Sequence, residues 1–229
     1  MIGSIYLFGY GKFGRAIAHS LKEQKIPLKI AVNNKEELPF ANSDKVEVEF
    51  INIESDRSLI DLNIPQGSTI ICALDSNHDN LFLALALRDI YKNNYIVALS
   101  DSIHLNDKLK IAGVDRIIDV YAISGNIINS LLTKPVATKF IQGFINREHD
   151  YIFKEIVVTI KSKLHGKMLN EIDFDSYDII FIGMVDKELG NNFIFKSSGV
   201  EHKVDSSDIL ICIGKEKNLN RFMTDMNLE

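Results

Sequence analysis

A glycine-rich hexapeptide near the beginning of the chain has the residue types and spacing of a phosphate-binding loop. Its residues are Gly9, Tyr10, Gly11, Lys12, Phe13 and Gly14. Gly9 permits a tight turn, Gly11 lets the backbone approach a pyrophosphate, and Gly14 permits close packing of a helix on a strand. A helix that starts here also offers free N–H groups and the positive end of its dipole. The hexapeptide therefore predicts a nucleotide phosphate site, and the alternative is a glycine-rich turn without a ligand.

The residue expected to bind the ribose of a nucleotide is an asparagine. In dinucleotide-binding folds an Asp or Glu about 20 residues after the loop binds the ribose hydroxyls. Asn33 stands at that place, and an amide lacks the charge assistance of a carboxylate. The identity of the ligand is therefore not decided by these residues. It is NAD, an adenine nucleotide (AMP, ADP or ATP), a 2′-phosphorylated nucleotide held by Asn33, Asn34 and Lys35, or none.

No catalytic motif accompanies the loop. The chain lacks a Walker A sequence, HExxH and GxSxG, and no tyrosine is followed four residues later by the lysine of a short-chain dehydrogenase. The six histidines show no metal-ligand spacing. We therefore expect a protein that is not an enzyme, with a nucleotide-dependent oxidoreductase as the alternative.

The elements that must position the loop alternate between strands and helices up to about residue 120. The predicted strands are Ser4–Phe8, Leu28–Val32, Val46–Ile51, Thr69–Ala73, Tyr95–Leu99 and Arg116–Val120. The predicted helices between them include Gly11–Glu23, Asp79–Tyr91 and Leu105–Ala112. This alternation predicts an α/β fold with a Rossmann-like, doubly wound parallel sheet.

The remainder of the chain changes in character. Ser124–Leu132 and Val136–Ile145 predict two helices separated by Pro135, as a helix-turn-helix extension. Beyond residue 150 the chain is rich in β-prone runs, with a short helical pattern at 165–172 and a last helix at Glu216–Met226. We expect a small C-terminal α+β subdomain.

Composition excludes several classes of protein. Of 229 residues 46% are hydrophobic and 25% are charged, which is typical of a folded globular protein. The longest apolar runs are far shorter than the roughly 18 residues of a membrane span, and no secretion signal is recognisable. The net charge of −5 argues against a nucleic-acid partner. Cys72 and Cys212 lie in apolar runs, so we expect buried thiols and a cytosolic location.

Several segments, in order along the chain, resemble the RCK proteins. These are also called KTN or TrkA-type domains and regulate potassium channels and transporters. The segments are GYGKFGRAIAHSL, FINIESDRSLIDL, ALDSNHDNLFLALALRDI, LNDKLKIAGVDRIIDVYAISGNIINSLL, KSKLHGKMLNEI and VDSSDILICIG. The last two resemble signatures of the C-terminal RCK subdomain. The run from Ala73 to Leu132 is most similar to the cytoplasmic domains of prokaryotic ligand-gated and Kch-type potassium channels.

The resemblance implies a division of the chain and a set of ligand-binding residues. It implies a nucleotide-binding N-lobe at 1–120, crossover helices at 121–148 and a C-terminal subdomain at 149–229, with a charged boundary at 147–150. The regulatory ligand is then NAD(H) or AMP, ADP or ATP. Besides the loop, Asn33 and Asn34, the implied site residues are Ile53, Glu54, Ala73, Leu74, Asp75 and Asn80. No calcium site is predicted, because Asp101 is the one acid left where archaeal members carry several.

The resemblance also implies a mechanism and partners. The protein would gate a potassium channel or uptake system through a nucleotide-dependent conformational change, and the alternative is a ring-assembly scaffold that binds no nucleotide. It would form a homodimer, or a higher ring such as an octamer, beside a pore in the same or another chain, at the cytoplasmic face of the membrane. The implied dimer surface is Ile127, Ile128, Leu131, Phe140, Ile141 and Phe144. Packing of these side chains onto their own domain is the alternative.

Overall fold

The chain forms two compact units, Met1–Asn129 and Ser130–Glu229. The structure, a computed structural model, describes residues 4–23, 26–145, 150–188, 190, 192–199 and 201–228. The charged boundary predicted at 147–150 lies mostly outside the described residues.

A six-stranded parallel sheet forms the centre of the first unit. Its strands are β1 (Ile5–Phe8), β2 (Leu28–Val32), β3 (Glu49–Phe50), β4 (Thr69–Cys72), β5 (Tyr95–Ser100) and β6 (Arg116–Asp119). Their spatial order is β3-β2-β1-β4-β5-β6. This order confirms the predicted doubly wound sheet. The order reverses between β1 and β4, and such a switch point opens a crevice at the carboxyl ends of the strands.

Five helices cover this sheet. They are α1 (Lys12–Glu23), α2 (Leu38–Ser43), α3 (Asp56–Ile60), α4 (Asn77–Ile90) and α5 (Ile103–Ile111). All residues of β1 are buried, as a sheet covered on both faces requires. Leu7 and Phe8 belong to different clusters of the core, because successive side chains of a strand point to opposite faces.

The short elements between β2 and β4 differ from the sequence prediction. A 3₁₀ turn at Lys35–Glu37 and helices α2 and α3 had no predicted counterpart. β3 is shorter than the predicted strand Val46–Ile51, because it pairs only with Ala31 and Val32 at the end of β2. The N–H group of Val46 donates to the carbonyl of Ala41 and is therefore not available to the sheet.

Two helices follow β6 as predicted, but the first begins four residues before the predicted start. They are α6 (Val120–Thr133) and α7 (Pro135–Ile145). The Asp119 carboxylate accepts a hydrogen bond from the Ala122 N–H at 2.8 Å, which caps α6 and lowers the pKa of Asp119. Pro135 occupies the first position of α7, where its missing N–H costs no hydrogen bond. In the described part of the chain, no helix combines the length and apolar character of a membrane span.

The second unit is built on a four-stranded antiparallel sheet. Its strands are β7 (Tyr151–Val157), β8 (Ile179–Val185), β9 (Phe193–Phe195) and β10 (Ile209–Lys215), in the order β7-β10-β8-β9, followed by helix α8 (Glu216–Asp225). The small α+β subdomain is therefore confirmed. Both cysteines are buried and unpaired, and burial raises the pKa of each thiol to about 12.

The helix predicted at 165–172 is wrong. This segment contains only a 3₁₀ turn at Leu169–Glu171. The N–H groups of Gly166 and Leu169 donate to the carbonyls of Val204 and His202. Pairing with a distant segment therefore takes the backbone groups that an α-helix would satisfy internally.

Candidate functional site

The glycine-rich loop lies at the switch point of the sheet. Gly9 follows β1 with φ +103°, and a Cβ atom on it would lie 2.5 Å from the carbonyl oxygen of Ala73 at the end of β4. A Cβ atom on Gly14 would collide with the carbonyl oxygen of Gly9. The loop therefore needs glycine at both positions, and its tight turn leads directly into α1.

Helix α1 begins at Lys12 and supplies the phosphate-binding features. The first N–H groups of a helix have no partner within it, and its N-terminus carries positive partial charge. The side chains of Lys12 and Phe13 are exposed beside this helix end. The arrangement can hold the anionic groups of a nucleotide, as the sequence predicts.

The Tyr10 side chain is used to hold the loop in place. It is buried, and its hydroxyl donates to Oδ2 of Asp44 at 3.1 Å. Burial raises the pKa of Tyr10, and the hydrogen bond to Asp44 raises it further. Arg15 Nε also lies 3.4 Å from Asp44 Oδ2. The Tyr10 side chain therefore anchors the segment after α2.

A buried glutamate that the sequence analysis did not identify lies against the loop. Glu37, the last residue of the 3₁₀ turn, is only 5% exposed. Burial raises the pKa of Glu37, and the backbone N–H groups of Tyr10 and Gly11 favour the ionised carboxylate and oppose this rise. Its Oε2 atom has no hydrogen-bond partner among the described residues.

Asp75 brings a second carboxylate to the loop. A Cβ atom on Gly11 would collide with the Asp75 carboxyl group, and the charge of Asp75 contributes to the raised pKa of Glu37. Asp75 is exposed, so its side chain has room to turn. The exposed carboxylate must turn away for a phosphate to reach Gly11.

The predicted residues after β2 and β3 lie at the same edge of the sheet as the loop. Asn33 is half-buried, whereas the Asn34 side chain accepts a hydrogen bond from the Glu36 N–H at 2.9 Å and so caps the 3₁₀ turn. Ile53 is buried and Glu54 is exposed. Carboxyl ends of parallel strands meet at one edge, so these positions border the crevice.

The predicted residues after β4 form one wall of the crevice. Ala73 and Leu74 are buried. The Asn80 amide accepts from the Leu74 N–H at 2.9 Å and donates to the carbonyls of Leu74 and Leu99. Asn80 therefore fixes the backbone after β4, and its polar groups are used by the chain itself.

Taken together, the residues present fit a nucleotide. The glycine-rich loop forms a cradle that tolerates no side chain at Gly9 or Gly14. The N-terminus of α1 beside it can bind a phosphate. The unpaired Glu37 oxygen is an acceptor for a hydroxyl group. A nucleotide supplies both a phosphate and hydroxyl groups, which is the combination that this edge of the sheet can bind.

A second cluster of polar side chains lies in the second unit. Oδ2 of Asp186 is 3.5 Å from Nδ1 of His202, and Oδ2 of Asp208 is 3.4 Å from its Nε2. These three side chains include ligand types for a divalent cation. However, the two ring nitrogens point in different directions, each to its own carboxylate, which is the geometry of a histidine bridging two acids. Sequence spacing gave no signal for this cluster.

The residues of the predicted dimer surface are mostly exposed. Ile127, Ile128 and Leu131 of α6 are 44%, 58% and 40% exposed, and α6 has no buried residue. Phe140 and Ile141 of α7 are also exposed. Phe144 is half-buried, with its ring centroid 4.6 Å from that of Phe153.

Known proteins resemble both the sequence and the fold. The TrkA-N domain family matches residues 5–120, about half of the chain. "Probable potassium channel protein 2" of Methanocaldococcus jannaschii is 29% identical over 172 residues, covering 71% of this chain and 50% of that protein. The chain therefore spans about half the length of the curated channel proteins it matches.

Two solved structures share the fold. The RCK domain of GsuK has a TM-score of 0.50 at 20% identity, over 96% of this chain and 45% of that chain. GsuK bound to ADP has a TM-score of 0.50 at 26% identity, over 56% of this chain and 33% of that chain. The chain therefore shares its fold with the RCK domain of GsuK.

Proposed function

Because the chain belongs to the TrkA-N domain family, we propose that it is a regulatory domain that controls a potassium channel or potassium uptake system through a nucleotide bound at its glycine-rich loop. The relatives named as potassium channel proteins support the partner. The ADP bound to GsuK supports the class of ligand, which is an adenine nucleotide or NAD(H). The observation that carries the proposal is the side-chain-free cradle of Gly9 and Gly14 at the switch point.

In the first unit, different residues bind different parts of the nucleotide. The N-terminus of α1 and the backbone of Gly9 to Gly14 hold the phosphates. Asn33, Ile53 and Glu54 border the adenosine, and Ala73 to Asp75 close the opposite wall, with Asn80 fixing their backbone. A ligand that binds one conformation more tightly shifts the equilibrium by its differential affinity. That shift is the signal passed to the pore.

The proposed regulation acts through a dimer. The exposed apolar side chains of α6 and those of α7, each taken separately, support pairing with a second copy of the chain, because exposed apolar surface marks an interaction site. In this proposal the regions are 1–120 for nucleotide binding, 121–148 for pairing and 149–229 for the C-terminal subdomain. The domain works in the cytoplasm at the inner face of the membrane.

Calorimetric titration with AMP, ADP, ATP, NAD, NADH and NADPH tests the proposed ligand. We expect saturable binding of at least one of them to the wild type and none to Gly11→Asp, which places a further carboxylate in the cradle next to Asp75. Gly67→Asp is the matched control, because Gly67 is exposed before β4, at the other end of the strand. Absence of heat with every nucleotide contradicts the proposal and favours the scaffold alternative.

A further inference from the structure

The buried glutamate next to the loop occupies its position because of a local turn. The Asn34 side chain caps the 3₁₀ turn at the Glu36 N–H, and the Glu37 N–H donates to the Asn34 carbonyl at 3.1 Å. The turn leaves Glu36 exposed and buries Glu37. The 3₁₀ turn therefore places a carboxylate at the crevice four residues after Asn33.

The surroundings of the Glu37 carboxylate are incomplete. The N–H groups of Tyr10 and Gly11 favour its ionised form, yet Oε2 is buried without a donor in the part of the chain that the structure describes. Buried polar atoms are normally paired, because an unpaired acceptor has lost its water without compensation. An atom of this kind beside a ligand loop points to a donor on the ligand.

The donor that fits is a hydroxyl group. A carboxylate only accepts hydrogen bonds when ionised, so it is matched by O–H or N–H groups and mismatched by a phosphate. The negative charge of the Glu37 carboxylate also disfavours an anion in contact with it. The sugar hydroxyls of a nucleotide whose phosphates lie at α1 satisfy both conditions, whereas a 2′-phosphate satisfies neither.

We infer that Glu37 is the specificity-determining residue of the site, accepting hydrogen bonds from the adenosine ribose in place of the acid that is absent at Asn33. The inference rests on the proposed nucleotide function. It selects nucleotides with a free 2′-hydroxyl and rejects those with a 2′-phosphate. Of the ligands that the sequence left open, the 2′-phosphorylated nucleotides are thereby excluded. Asn33 is then a neighbour of the ribose site.

Titration of ADP and NAD, each beside its 2′-deoxyadenosine form, tests this assignment. The wild type should bind the ribose forms more tightly than the deoxy forms. Glu37→Gln should weaken binding of the ribose forms about 10- to 100-fold, the range expected for charge-assisted hydrogen bonds, and should remove most of the preference. Glu36→Gln makes the same change on the adjacent exposed residue and should alter neither affinity.

The outcomes separate this inference from the function on which it rests. If the wild type binds none of the six nucleotides titrated above, both are overturned. If it binds NADPH alone, or binds ADP or NAD without a ribose preference, or if Glu37→Gln retains that preference, only the role of Glu37 is overturned. Glu37→Asp keeps the carboxylate and should retain part of the preference, so the test does not depend on the folding of one variant.

Discussion

Two buried carboxylates, one in each unit, differ in how fully the chain satisfies them. Asp208 is 1% exposed, and its oxygens accept hydrogen bonds from the backbone N–H groups of Lys187 and Asp205 at 3.2 and 2.8 Å. His202 lies against it as well. Glu37 is about as buried, but its Oε2 atom finds no donor among the residues that the structure describes.

The difference separates a structural acid from a binding acid. The acceptor atoms of Asp208 are used to join the segment after β8 to the turn before β10, so the fold itself compensates its burial. The fold leaves the burial of Glu37 partly uncompensated, which raises its pKa. Removal of the Asp208 carboxylate should therefore lower stability, whereas removal of the Glu37 carboxylate should lower ligand affinity.

The largest effect is expected for Asp208→Ala. This variant removes a buried charged partner, which costs about 3–5 kcal/mol in the free energy of unfolding. Urea unfolding of the full chain measures it. Asp205→Ala is the control, because that side chain is partly exposed and lies 4.0 Å from His165, so its loss should cost under about 1 kcal/mol. Equal midpoints for the two variants would contradict a structural role for Asp208.

A smaller loss is expected for His202→Gln. The imidazole separates two buried carboxylates, and glutamine places an oxygen against one of them. We expect a decrease of about 1–3 kcal/mol in the free energy of unfolding. His19→Gln, on an exposed histidine of α1 beside Glu23, should leave the unfolding curve unchanged. If His202→Gln left the free energy of unfolding unchanged, the two acids would need no histidine between them.

Glu37→Gln should change stability little at neutral pH. Glutamine keeps the shape of the side chain and an acceptor oxygen, while it removes a poorly solvated charge. The expected change is within about 1 kcal/mol, measured in the same urea experiment beside Glu36→Gln. A loss as large as that of Asp208→Ala would make both acids structural and would remove the contrast between them.

The smallest expected effect is a pH dependence of the difference in unfolding free energy between the wild type and Glu37→Gln. The pKa of Glu37 is raised in the folded state, so its contribution to stability is fully present below the pKa of the unfolded chain and is lost as pH rises through the folded pKa. The wild type should therefore lose stability relative to Glu37→Gln across this window. Unfolding curves from acidic to neutral pH give the difference, and a constant difference would contradict the burial of an ionising carboxyl.

Much of the fold follows from patterns within the sequence. The apolar runs of β1, β2, β4, β5 and β6 were predicted within a residue at each end, because strands buried on both faces are nearly continuous in apolar residues. Helices α2 and α3 and the shortened β3 were not predicted. Such elements are too short for a hydrophobic period, and their ends are set by caps such as Ser55 on the Ser58 N–H.

The glycine-rich loop and the family were determined by the sequence alone, because Gly9, Gly11 and Gly14 have the characteristic spacing between an apolar strand and a helix. Only the tertiary structure placed Glu37 on the loop and His202 between Asp186 and Asp208. Glu37 is far from the loop along the chain, and Asp186 is far from His202 and Asp208, so packing decides which of these charges share a buried space. Burial and the lack of a donor, which distinguish Glu37 from Glu36, are properties of the folded chain and have no counterpart in residue type or spacing.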